Sequence, residues 1–197
     1  QEISYTIHPL HLWFLGNIFV YVLLLSPIFF YLKKNENGTI QRAINKLFSS
    51  PWGVLAVVAA FVLEALLLNP EVYETYAMNL HGFILGMLAF LFGFLFIYSG
   101  DAFWTTIRKW RWLTLSLALG LFILRYFEFQ LKAPNYLLSM ESNMWIFAAF
   151  GFANMYLSRP SKTLSYLTQA AYPVYIIHMI FLYLGSFLIF PLDISPL

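Results

Sequence analysis

Apolar positions along this chain gather into six long blocks, at about residues 10–32, 52–68, 80–99, 110–129, 142–157 and 172–192, separated by short polar segments. A helix needs about 20 mostly apolar residues to cross the hydrocarbon core of a bilayer. The first, third and sixth blocks meet that length easily, and the second is short but clean except for Glu64. Between Arg111 and Arg125 the fourth has Trp112 and twelve further uncharged residues, 113–124. It reaches spanning length only if both arginines extend along the helix to the two interfaces. The fifth offers sixteen uncharged residues from Ser142 onward. Together the blocks predict an all-α, polytopic integral membrane helix bundle of about six transmembrane helices, a single domain over residues 1–197.

Composition agrees: 61% apolar, 20% aromatic and only 10% charged residues exceed what a soluble core of 197 residues can hide. The partner this implies is the lipid bilayer. Nine of the eleven basic residues lie in alternate flanks of the blocks: Lys33, Lys34, Arg42 and Lys46, then Arg108, Lys109 and Arg111, then Arg159 and Lys162. Only Arg125 and Lys132 fall on the other side. Cytoplasmic loops carry the excess of Lys and Arg, so the pattern places those flanks inside and both ends of the chain outside. A net charge of +2, already explained by these flanks, gives no reason to invoke nucleic acid. With no cysteine, disulfides, thiolate chemistry and Cys-bound metal are excluded.

Segment 33–50 contains Asn-Glu-Asn-Gly and reads as a loop. Asn69-Pro70 ends the second helix, and 161–171 suits a short interfacial helix leading into the last span. Trp13, Trp52, Trp110, Trp112, Trp145 and Tyr172 sit near span ends as interfacial belts.

Ionisable groups within the membrane are costly and mark functional candidates. His8 and His11 stand at the outer mouth of the first helix, and His81 at that of the third. Glu64 lies about one turn inside the outer end of the second, where a carboxylate needs a partner or a raised pKa. Arg125 and Glu128 share a face at the outer end of the fourth, spaced i,i+3. These residues converge on one outer layer. The inner half holds His178, with Tyr175 three positions before it on the same face. Pro173 suits the opening turn of that helix. His81 and His178 differ by roughly 18 Å in depth, too far for one haem iron. Pro9 spoils His8 and His11 as a helical metal pair, so no metal site is expected.

Two segments resemble the membrane-bound acyltransferase-3 family of surface-polysaccharide and periplasmic-glucan acyltransferases. One is His11-Leu12-Trp13-Phe14-Leu15, followed by Tyr21 and Pro27. The other is residues 165–179, with Tyr172-Pro173-Val174-Tyr175-Ile176-Ile177-His178. Residues 93–104, a glycine-bearing helix ending at Ser-Gly-Asp before Phe-Trp, fit the glucan-modifying branch. The resemblance implies a ten-helix bundle with both ends cytoplasmic, of which a six-span chain with both ends outside is an interior fragment, cut at each end. It implies transfer of an acyl group from a cytoplasmic donor, acyl-CoA as co-substrate and no other cofactor, to a hydroxyl of an extracytoplasmic carbohydrate, in a bacterial cytoplasmic membrane. The family's catalytic histidine belongs to its first helix and has no counterpart here, so the catalytic residue is unknown. His178 does not inherit that role. On this reading His11, Trp13, Glu64, His81, Arg125 and Glu128 are acceptor-binding candidates, and Tyr175 and His178 lie toward the donor path. The competing reading is a proton-coupled transporter or flippase, which an outward polar layer and an inner histidine also suit. A non-catalytic membrane scaffold is a third.

Overall fold

The computed structural model describes residues 13–36, 38–159 and 161–189, and seven α-helices occupy most of them. They are α1 (Trp13–Lys34), α2 (Thr39–Phe48), α3 (Pro51–Leu68), α4 (Leu80–Tyr98), α5 (Asp101–Phe129), α6 (Asn135–Tyr156) and α7 (Lys162–Ile189). No strand occurs among the described residues. The chain divides into two units, Phe14–Ser158 and a second that contains α7.

Helices α1, α3, α4 and α5 are long and apolar enough to cross a membrane. In α7 the segments Lys162–Tyr175 and Ile180–Leu188 meet at a 71° bend and qualify only as one broken span. The count by length and composition is therefore four, or five with α7, against about six expected. The difference is α6. Its 22 residues form a helix of spanning length, but Ser139, Glu141 and Asn143 lower its mean hydropathy below that of the other spans. All three are buried. A helix sheltered by its neighbours has no need of an apolar surface all round, and α6 is packed chiefly along α5 and α3.

Pairings between helices give their directions. Arg125 meets Glu141, Trp112 packs edge-on to Phe152, and a Cβ on Gly151 would strike Ile107 and Arg111. As one position rises the other falls, so α5 and α6 are antiparallel. Glu64–His81 and Phe61–Phe92 make α3 and α4 antiparallel by the same reasoning. Tyr21–Phe83, Phe29–Phe94 and the Tyr98 hydroxyl donating to Leu32 O make α1 and α4 parallel. One end of this unit thus gathers the start of α1, the end of α3, the start of α4, the end of α5 and the start of α6. The other end carries Lys33, Lys34, Arg42, Lys46, Arg108, Lys109 and Arg111. We call these the polar end and the basic end.

Several boundaries differ from the blocks read in the sequence. Segment 33–50 is not all loop. Within it α2 places Ile44 and Phe48 on one face, spaced i,i+4, and Phe48 packs edge-on to Phe96 and Phe103. α5 begins at Asp101 rather than near 110. Its 29 residues rise about 43 Å, well beyond a hydrocarbon core of about 30 Å, so its first turns carry charge outside the lipid. There Phe103 and Ile107 are fully buried, and Phe103 stacks on Phe96 at 3.9 Å. α6 begins at Asn135, seven residues before the expected Ser142. Residues 162–171 are helical, as expected, and belong to the first segment of α7, Lys162–Tyr175, ahead of the 71° bend. Pro173 accordingly lies in the interior of α7 and not in its first turn. It lacks the N–H that an interior helical residue supplies, a few residues before the bend.

Candidate functional site

The polar end is organised by the connection between α3 and α4. α3 stops at Asn69, whose left-handed backbone (φ 37°) closes the helix with Asn69 N–H donating to Ala65 O at 3.1 Å. α4 starts from Asn79, whose side chain accepts from Gly82 N–H at 2.7 Å. Between them, the carbonyl of Pro70 and the side chain of Asn69 accept from Asn135 Nδ2 at 2.7 and 3.1 Å, which ties the loop to the first residue of α6. Gly82 sits directly beneath the Tyr76 backbone, where any Cβ would clash with the carbonyl. The loop is thus held at both ends, its α3 end being tied also to α6.

Under it lies a buried histidine–carboxylate pair. His81 Nδ1 is 2.7 Å from Glu64 Oε1, with the two side chains 3% and 2% exposed. The other ring nitrogen, Nε2, lies 3.1 Å from Tyr73 O. A carbonyl can only accept, so Nε2 carries a hydrogen. One further proton then lies on the line between Nδ1 and Oε1, either on the ring, giving an ion pair, or on the carboxyl, giving a neutral pair. Both arrangements have zero net charge, which is what a buried pair requires. Glu64 Oε2 is buried and has no hydrogen-bond partner among the described residues.

Tyr73 packs its ring 5.0 Å from that of His81 and is 4% exposed. Burial pushes its hydroxyl up to about 12 from an ordinary value of 10. The nearby Ser139 hydroxyl lowers it somewhat without forming a well-aligned hydrogen bond, and Tyr76, Glu64 and Glu74 raise it further. Tyr76 is raised as well, by burial first and then by Glu74 and Glu64.

Beside this pair stands a second. Arg125 donates to Glu141 through Nε at 2.6 Å and Nη2 at 3.0 Å, a bidentate fork. Their side chains are 19% and 6% exposed. Glu128, the expected neighbour of Arg125, is exposed instead and forms no ion pair among the described residues. The i,i+3 spacing made that local pair possible, but a helix packed against α5 presents a better-buried carboxylate.

Around the loop open three depressions, all walled by Glu71. The largest, about 640 Å³, is lined by Glu74, Phe129, Lys132 and Asn135 together with Tyr73. A volume of 300–1,000 Å³ is typical of small-molecule sites, and the mixture of carboxylate, amine, amide and aromatic edge suits a ligand rich in hydroxyls.

Of the residues expected to form the outer layer, the structure brings Glu64 and His81 into contact and sets Arg125 at the same end. His8 and His11 lie outside the described residues. Trp13 opens α1 and is half-buried. In α7, Tyr175 and His178 do share a face, with ring centres 5.6 Å apart, and His178 Nδ1–H donates to Tyr175 O beside the bend. Missed in the sequence were Tyr73, Ser139 and Glu141. Glu141 carried a signal, since it abuts the fifth apolar block and one further turn of helix places it in the bundle. Tyr73 carried none. No group of three or more His, Cys, Asp or Glu side chains that would hold a metal ion occurs among the described residues. No known family model, curated protein or solved structure matches the chain.

Proposed function

We propose that this chain belongs to a membrane O-acyltransferase that moves an acyl group from a thioester donor such as acyl-CoA to a carbohydrate hydroxyl, and that the depression of about 640 Å³ at the polar end holds the acceptor. The observation that carries the reading is the division of the Phe14–Ser158 unit. A hydroxyl-matching, aromatic-edged depression opens at one end, and basic side chains suited to an anionic donor gather at the other. The resemblance of residues 11–15 and 172–178 to the acyltransferase-3 family points the same way, with the polar end outside and the basic end in the cytoplasm. In the transfer, the sugar oxygen bonds to the thioester carbonyl carbon, the carbon–sulfur bond breaks, and the sugar proton passes to a base and then to the departing thiolate. His81 is not assigned as that base, because both its ring nitrogens are engaged. Glu64 and Arg125 hold the framework, and Glu74, Lys132 and Asn135 touch the acceptor.

The test is transfer of a labelled acyl group from acyl-CoA to a glucan acceptor in membranes that carry the full-length protein. Glu74→Gln and Lys132→Met should each raise the acceptor KM about tenfold, the equivalent of one lost charged hydrogen bond, and leave the donor KM unchanged. Absence of donor-dependent labelling in the wild type would sink the proposal. One observation favours a proton-coupled carrier instead, namely the single proton held between Glu64 and His81. A carrier leaves its substrate chemically unchanged, so accumulation of unmodified sugar without labelling would select that reading.

A further inference from the structure

Toward the basic end, the first turns of α3 and the stretch of α5 from Trp110 to Leu117 part into a cleft of about 140 Å³. Pro51 and Leu55 of α3 form one wall, Trp110, Leu113 and Leu117 of α5 the other, and Met144 of α6 also lines it. Its one hydroxyl, that of Thr114, is turned back to Arg111 O at 3.0 Å, so the walls present hydrocarbon. Leu55, Leu113 and Leu117 are 50%, 47% and 46% exposed, which leaves the cleft open along its side. The α5 wall repeats at i, i+3 and i+7 and so runs along the helix axis for about 10 Å, parallel to a lipid tail.

Charge marks the end of this cleft. Lys109 is exposed one turn before Leu113 on the same row of α5 and leans toward the helix N-terminus. Arg108 is exposed next to it, and α2, packed against both α3 and α5, exposes Arg42 and Lys46. The acidic residues at this end, Glu36 and Asp101, are outnumbered by seven basic ones, and none occurs in 39–55 or 102–127. Trp110 stands between the basic group and the apolar stripe, at the level where an indole bridges headgroup and tail.

We infer that this cleft seats one acyl chain of an anionic glycerophospholipid, with the phosphate held at the basic end by Lys109 together with Arg108 and Lys46. The apolar stripe alone would accept any tail. The excess of basic residues selects the negative headgroup, each contributing about fivefold near a membrane surface.

Phospholipid retained by the purified, intact protein after exposure to equal amounts of phosphatidylglycerol and phosphatidylcholine, counted by native mass spectrometry, tests this. The wild type should prefer phosphatidylglycerol by fivefold or more. Lys109→Gln should cut that preference about fivefold, and Leu117→Phe, which fills the cleft with another apolar group, should reduce retention of both lipids. Equal retention of the two lipids by the wild type overturns the inference. So does an unchanged preference in Lys109→Gln, unchanged retention in Leu117→Phe, or displacement of bound lipid by glycerol phosphate alone. Inserted yield and helical circular dichroism, unchanged in both variants, confirm that binding and not folding is being read.

Discussion

Replacing Arg125 with methionine removes two charge-assisted hydrogen bonds and leaves Glu141 as a carboxylate whose side chain is 6% exposed. Breaking a buried pair from one side typically costs 3–5 kcal/mol, because the remaining charge keeps its desolvation penalty and loses its partner. The Arg125 side chain is 19% exposed, so water reaches part of the vacated space, and the expected loss is roughly 2–4 kcal/mol. Removing both charges gives a different result. Arg125→Met with Glu141→Leu fills the same space with hydrocarbon and should return to within about 1 kcal/mol of the wild type. Glu128→Gln should change stability by less than about 0.5 kcal/mol, since Glu128 is exposed. Denaturant unfolding of the protein in mixed micelles, followed by circular dichroism, gives all three values, and Glu141→Leu alone completes the cycle for the coupling energy. If Glu128→Gln costs as much as Arg125→Met, or the double variant is no more stable than Arg125→Met, the pairing across α5 and α6 is not what holds that end together.

Glu64→Gln should cost about 1 kcal/mol or less, because an amide still donates to His81 Nδ1, whereas His81→Phe should cost roughly 3 kcal/mol by leaving Glu64 buried alone; equal losses in thermal unfolding would contradict the shared-proton geometry. Gly82→Ala should lose at least about 3 kcal/mol or displace the loop, since its Cβ meets the Tyr76 backbone. Gly120→Ala, with open space around it, should gain about 0.5–1 kcal/mol of helix stability. Ultraviolet titration should find one tyrosine ionising near pH 12 and missing from Tyr73→Phe. The folded state holds that proton more tightly than the unfolded chain, so Tyr73's contribution to stability is complete below pH 10 and disappears as the pH rises through about 12. A wild-type and Tyr73→Phe pair with identical alkaline unfolding would refute it.

Block length and composition were enough to read an all-α membrane protein, because lipid demands that every backbone group be paired within the segment that crosses. The alternation of basic residues was equally legible: the antiparallel course of α3 to α6 collects Lys33, Lys34, Arg42, Lys46, Arg108, Lys109 and Arg111 at one end, as their places in the chain required. Glu64 and His81 stood out for the same reason, each being a polar group in an apolar surrounding. Which partner each group takes was not legible. Arg125 had Glu128 one turn away, yet it joins Glu141, sixteen residues on, because packing α6 against α5 buries that carboxylate and buried carboxylates must be paired. The fifth apolar block was legible as a helix, but its start at Asn135 was not, because the polar Ser139 and Glu141 ahead of that block are buried by packing. Local chemistry settles how a segment meets the membrane. Only the tertiary packing of one helix on another decides which charges meet, and so where the polar end of this protein holds its two buried pairs.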